Sequence, residues 1–334
     1  MKKGMLALLA VVLLAAALGA WYATTPPAGA PAIGETVEVV VPAGSGALAI
    51  GRQLNREGLV RSPRLFALAA RTRGVESSLK AGRYRFTGGM GWGELLDVLA
   101  RGEVMNFPLT VPEGFTLREL APRVAEATGS TADSVMRLAL DSAFIARAGV
   151  PGPTLEGYLF PETYRFAEGV EPAAVLLEMA DRYREYWTLE RRARLDSLEL
   201  DERALVTLAS IVEEEARVAE ERAIIAGVYS NRLEIGMLLQ ADPTVQYALG
   251  EPKERLLYTD IDRVADHPYN TYTHAGLPPG PISSPGAAAL DAALYPADVP
   301  YLFFVAEADG SHVFTRTNRE HINARNRIRR ERGE

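Results

Sequence analysis

Three consecutive glutamates, Glu213, Glu214 and Glu215, close an apolar stretch that reads Ala204-Leu205-Val206-Thr207-Leu208-Ala209-Ser210-Ile211-Val212. Their spacing sorts them. At about 100° per residue, with Leu208 set at zero, Ile211 falls near −60°, Val212 near +40° and Glu215 near −20°, while Glu213 and Glu214 point near +140° and −120°. Only Glu215 lies on the apolar stripe. Burial penalises an ionised carboxyl, so a glutamate there holds its proton to higher pH than a surface glutamate and is equipped to donate it to a leaving group. The expectation is a general acid at Glu215, with Glu213 and Glu214 facing solvent. The competing reading is a solvated charge run whose third member merely ends an amphipathic face.

Other chemistries find little support. The four histidines, His267, His274, His312 and His321, have neither the paired helical spacing of a zincin nor a nearby carboxylate cluster. There is no glycine-rich phosphate loop and no Gly-x-Ser-x-Gly elbow. With no cysteine in the chain, disulfides, thiolate ligands, a cysteine nucleophile and a lipid-modified cysteine are all excluded. Carboxylate chemistry remains. Glycoside cleavage normally uses two carboxyls, and Glu113, Glu162 and Asp242 are the available second members, although each sits in a turn where capping suffices to explain it. A lyase-type route needs only one: the residue protonates the glycosidic oxygen, then takes the proton from the sugar's own 6-hydroxyl as that hydroxyl closes a 1,6-anhydro ring.

The chain that must position these residues has 334 of them, 48% hydrophobic, with a net charge of −7. That composition supports several packed units and argues against a nucleic-acid partner, even though the tail at 325–332 is locally basic. Lys2 and Lys3 precede an uninterrupted apolar run at 4–20, followed by Trp21 and Tyr22 and a Pro/Ala/Gly stretch at 24–34. At about 1.5 Å per residue this run just spans a hydrocarbon core, and the lysines set the amino end in the cytoplasm. The expectation is a single-pass anchor at 1–23 and a linker at 24–34, with the rest of the chain outside; a cleaved signal peptide is the competing reading.

Beyond the linker, Val37, Val39 and Val41 alternate as in a strand, Pro42-Ala43-Gly44 makes a turn, and Leu48, Ile50 and Leu54 begin a helix. Ser62-Pro63 opens a second helix, and 79–86 returns as a strand. Helices are expected at 92–101, 117–127, 130–148 and 172–198, with a break at 149–153. Val111-Pro112-Glu113-Gly114 faintly echoes Val41-Pro42-Ala43-Gly44. A dense aromatic block runs from Glu156 to Phe166. After Gln240 the sequence reads as loops, closed by a hairpin pairing 301–306 with 312–315 across Asp309-Gly310.

Several long motifs then fall in one order: Ala209-Ser210-Ile211-Val212-Glu213-Glu214-Glu215, Asn231-Arg232-Leu233, Leu239-Gln240-Ala241-Asp242-Pro243-Thr244-Val245, Tyr269-Asn270-Thr271-Tyr272-Thr273 and Gly276-Leu277-Pro278-Pro279-Gly280-Pro281-Ile282. With the 156–166 block, they resemble the membrane-anchored endolytic murein transglycosylases, the MltG or YceG-like family, from the anchor to about residue 325. The resemblance implies an α+β fold: an N-terminal transmembrane helix, a small LysM-like α/β module at 35–105 and a mixed α+β catalytic domain at 106–330. The family's catalytic glutamate, the second of a Glu-Lys-Glu run, falls on Glu215. The chain departs from the pattern at Glu214, where lysine is usual, and at Ser283-Ser284, where an Asn often precedes the Pro-Gly. The same resemblance places Gln240, Asp242, Asn270, Thr271 and Tyr272 along a glycan cleft, with no cofactor and no metal. It implies an inner-membrane or plasma-membrane lyase, working on the extracytoplasmic side, that cuts nascent peptidoglycan strands between MurNAc and GlcNAc to leave 1,6-anhydroMurNAc ends. Its partners would be the glycan strands, the membrane and peptidoglycan synthases. A non-catalytic wall-binding scaffold and a hydrolytic muramidase are the alternatives.

Overall fold

A computed structural model describes residues 29–332 other than 43, 199, 252, 254 and 255, together with 14, 19, 22, 25 and 27. The expected anchor at 1–23 falls almost entirely outside the described residues. Among those described, no helix is long and apolar enough to cross a membrane. The chain divides into two compact units, Met1–Pro108 with Arg165–Val170, and Leu109–Tyr164 with Glu171–Glu334.

In the first unit, β1 (Thr36–Val41) is followed by α1 (Ala47–Arg56), α2 (Pro63–Thr72), β2 (Gly82–Thr87) and α3 (Trp92–Arg101). The two strands pair antiparallel, with Val39 opposite Tyr84 and Val37 opposite Phe86. Strand alternation sends Val39, Val41, Tyr84 and Phe86 inward, where they pack on Ile50, Leu54, Phe66, Leu95 and Leu99. The Ser62 hydroxyl accepts from the Leu65 amide, and Pro63 occupies the first turn of α2, so the expected start of that helix has its cap. The strand expected at 79–86 begins only at Gly82, because Glu76–Ser78 form a short 3-10 turn ahead of it.

A strand β3 (Asn106–Thr110) pairs with β4 (Thr163–Ala167). In the second unit, α4 (Leu117–Thr128) opens with Thr116 and Glu119 capping each other. The helix expected at 130–148 is two, α5 (Ala132–Leu140) and α6 (Ser142–Ala148), because the Asp141 carboxylate caps the Phe144 amide at 2.7 Å and starts a new turn. In the same way Thr188 caps the Arg191 amide and splits the long charged stretch into α7 (Pro172–Tyr186) and α8 (Leu189–Asp196).

The centre of this unit is α9 (Glu202–Glu215), with Leu205 to Val212 buried without exception. Around it pack α10 (Arg222–Glu234) and the alanine-rich α13 (Ala287–Leu294), whose small side chains permit close approach. The region after Gln240 is less loop-like than its composition suggests. It contains α11 (Asp242–Leu249) and α12 (Tyr258–Arg263) as well as α13; proline is compatible with a helix's first turn, so Asp242-Pro243 begins a helix rather than a turn. The hairpin β5 (Phe303–Ala306) and β6 (His312–Thr315) pairs Phe304 with Phe314 and leads into α14 (Asn318–Glu331). The architecture is mixed α+β.

Candidate active site

Glu215 is the last residue of α9. The unpaired carbonyls at a helix C-terminus carry partial negative charge, which disfavours a second negative charge beside them. After a turn through Ala219–Glu221 the chain returns as α10, which brings Tyr229 and Arg232, three residues apart and on one face, against the carboxyl. The Tyr229 hydroxyl donates to Glu215 Oε1 at 2.8 Å. Burial pushes the Glu215 carboxyl up to about 7, the charge of Asp242 adding to it, with the Tyr229 hydrogen bond and the Arg232 charge opposing. Tyr229 is itself driven well above the ordinary phenol range by burial and then by the neighbouring Glu215.

Arg232 is held by main chain rather than by acid. Its Nε donates to the Leu302 carbonyl at 2.6 Å and its Nη1 to the Leu239 carbonyl, while the guanidinium lies over the Phe303 ring, 5.4 Å from its centroid. The hairpin is pinned beside it, because Glu221 accepts from both the amide of His312 and its ring Nδ1, at 3.0 and 2.7 Å.

Glu215, Tyr229 and Arg232 share a cleft of about 700 Å³ with Gln240, Asp242 and Tyr272, walled further by Phe303 and Phe304 of the hairpin and His321, Arg325 and Arg329 of α14. Gln240 adopts φ 48°, the one positive value among described non-glycine residues, as its amide reaches the Thr271 carbonyl. The Tyr272 hydroxyl donates to Asp242 Oδ1. Three of the five expected binding residues are thus brought to the cleft. Asn270 and Thr271 are not: both are buried. The Asn270 amide donates to the Ile261 and Val264 carbonyls and its Oδ1 accepts from the Tyr272 amide, while Thr271 Oγ1 accepts from the Ala241 amide and bonds the Thr244 hydroxyl. They position Tyr272, Gln240 and the start of α11 from behind.

The helical wheel misplaced Glu213. Its side chain is only 7% exposed, accepts from the Gly286 amide at the start of α13 and lies 3.5 Å from Arg222. Because α13 packs along this side of α9, Glu213 meets the start of that helix instead of water. Glu214 is exposed, as expected. Ser210, also buried, donates to the Thr207 carbonyl and accepts from the Ile282 amide, anchoring the end of the glycine-proline loop.

Of the other carboxyls, Glu162 pairs with Arg182 at 3.2 Å and Glu113 lies against Gly286; neither lines the cleft, and among the described residues Asp242 is the one acid there besides Glu215. Tyr229, Arg232 and the α14 residues were not anticipated from sequence. The three-residue spacing of Tyr229 and Arg232, with Arg232 inside the Asn231-Arg232-Leu233 motif, was the available signal. Among the described residues no group of three or more potential ligands is placed to hold a metal ion.

The sequence profile of the YceG-like family matches residues 39–327. The endolytic murein transglycosylase of Bacillus subtilis (strain 168) is 33% identical over 305 residues, covering 87% of this chain and 84% of that protein. The protein of the same name from Streptococcus pneumoniae (strain R6) is 32% identical over 313 residues, covering 85% of this chain and 56% of the relative. A crystal structure at 2.6 Å of a yceG-like protein from Listeria monocytogenes matches with a TM-score of 0.60 at 32% identity, over 87% of this chain and 99% of the other.

Proposed function

Since this chain belongs to the YceG-like family, we propose that it is an endolytic lytic transglycosylase acting on peptidoglycan, with Glu215 as its catalytic residue. The observation that carries the reading is the Glu215 carboxyl on a large cleft, raised to about 7 by burial and held at Oε1 by Tyr229. Tyr229 occupies one oxygen, so the proton resides on the other, Oε2. That proton passes to the oxygen of the glycosidic bond as the bond from MurNAc C1 breaks. The Glu215 carboxylate then takes the proton of the same sugar's 6-hydroxyl as its oxygen closes on C1, leaving a 1,6-anhydro ring and a regenerated acid. A pKa near the working pH suits a group that must give a proton and take one back. Arg232, fixed by carbonyls, keeps a positive charge near the carboxylate formed in between.

The apolar run at 4–20 behind Lys2 and Lys3 supports membrane attachment, which would hold the cleft near emerging strands and peptidoglycan synthases. The strand-helix-helix-strand order of the first unit supports a LysM-like role in gripping glycan. Mass spectrometry of strands after incubation tests the chemistry. Wild type should yield anhydro ends and Glu215→Gln none; products heavier by one water would indicate a muramidase, and binding without cleavage a scaffold. The anchor is tested by strand lengths in cells: protein beginning at Gly34 and exported should cleave in vitro but fail to restore the length distribution that the anchored form restores.

A further inference from the structure

The cleft that holds Glu215 is more basic than the chain that builds it. The net charge is −7, yet among the described residues the lining carries Arg232, Arg325 and Arg329 against one acid besides Glu215, Asp242, which already accepts from the Tyr272 hydroxyl. Arg325 and Arg329 are exposed and stand one helical turn apart on α14. Their neighbours differ: Arg327 pairs with Glu307 and Glu331, Arg330 bonds the Asn326 carbonyl and Arg332, just past the helix, bonds the Ala306 carbonyl. Arg325 and Arg329, among the described residues, have no hydrogen-bonded or ion-paired partner. His321, one turn before Arg325, stacks on Phe303 with ring centroids 5.5 Å apart. Burial, and then the charges of Arg325 and Arg232, lower its affinity for a proton, which places those two guanidiniums in one electrostatic neighbourhood. Like charges a turn apart repel each other, and an anion seated between them removes that repulsion.

We propose that Arg325 and Arg329, backed by Arg232, form an anion subsite of this cleft that takes a carboxylate carried on the substituents of the glycan. The inference rests on the reading of this cleft as the place where glycan is bound and cut by Glu215. A guanidinium pair matches a carboxylate with directed N–H donors, and a subsite on the rim would register acidic, substituted strands without touching the bond that breaks.

The test uses the full chain and three glycan probes: intact strands, strands stripped of peptide so that only lactyl carboxylates remain, and strands whose carboxyls are all converted to methyl amides. The double variant Arg325→Gln/Arg329→Gln should raise KM on intact strands about tenfold with kcat unchanged and flatten its salt dependence. On methyl-amidated strands it should match wild type. Arg325→Lys/Arg329→Lys, which keeps the charge but not the directed donors, should recover only part of the loss, and the stripped strands report whether peptide or lactyl carboxylate is the ligand. The same comparisons are made as Kd values in a Glu215→Gln background. Equal loss on intact and amidated strands, or no loss on intact ones, overturns the subsite. A charge-dependent Kd in the absence of any cleavage by wild type would instead overturn the catalytic reading and leave the subsite standing.

Discussion

Replacing Glu215 by Gln should abolish cleavage and make the protein more stable, and the second effect should grow with pH. The carboxyl moves from 4.5 to about 7 on folding, chiefly through burial. Its pKa is raised, so folding favours the protonated form: that contribution is complete below 4.5 and is lost as pH rises through about 7. By proton linkage, the difference between the two pKa values disfavours wild type by about 3 kcal/mol at pH 8 but by under about 1 kcal/mol at pH 5. Both figures are upper bounds, since the side chain is partly accessible from the cleft. Gln keeps the shape and an oxygen to accept from Tyr229, so the variant escapes the cost of the charge and keeps the hydrogen bond.

Thermal melts of wild type and variant at pH 5 and pH 8, read beside cleavage assays, measure this directly. For a unit of this size about 2 kcal/mol corresponds to a rise of roughly 4–8 °C at pH 8, shrinking to a degree or two at pH 5. An inactive variant with no stabilisation at either pH would mean that the carboxyl is not held in the environment described. A pH-independent stabilisation would place its cause outside titration. Retained cleavage would remove Glu215 from the mechanism altogether.

Tyr229→Phe deletes the donor that holds Glu215 Oε1 and lowers its pKa; kcat/KM should fall about tenfold, and the descending limb of its pH profile, set near 7 in wild type, should move to higher pH. Glu213→Ala strips the Gly286 amide of its acceptor and leaves the half-buried Arg222 without its acid, so urea melts should show a loss of about 1–3 kcal/mol while activity per folded molecule stays within a few-fold of wild type. Asn270→Ala removes two donors and one acceptor from the loop behind Tyr272; stability should fall by about 2 kcal/mol or more, and KM should rise more than kcat falls as Gln240 and Tyr272 lose their support.

The parts of the site that were legible in sequence share a cause. Glu215 was placed inward because its phase on α9 matches Leu208, Ile211 and Val212, and those residues are indeed interior. Glu213 was misplaced by the same wheel, since periodicity separates inside from outside only for a helix with one wet face, and α9 is buried from Leu205 to Val212. Asn270 and Thr271 were expected in the cleft because the family resemblance assigns their whole loop to it, and a motif does not say which of its side chains face inward. Here the loop folds under itself and spends them on carbonyls, amides and a neighbouring hydroxyl. The contributions of α14 and the hairpin depend on how remote segments close around α10, and no local pattern carries that information.

Burial alone does not select the catalytic group, and a second carboxyl makes the point. Glu156 is pushed higher than Glu215, to about 8, again mainly by burial. Both of its oxygens are occupied, Oε1 by the Leu117 amide at 2.9 Å and Oε2 by the Tyr247 hydroxyl at 3.2 Å, and the depression it borders is about 280 Å³. Glu215 has one oxygen held and one free, on a cleft of about 700 Å³. A raised pKa supplies a proton at neutral pH; only an unheld oxygen in a space wide enough for sugar rings can deliver it. Glu156→Gln should therefore leave cleavage largely intact, and loss of cleavage in a variant that remains folded would show that access has been the wrong criterion for choosing between them.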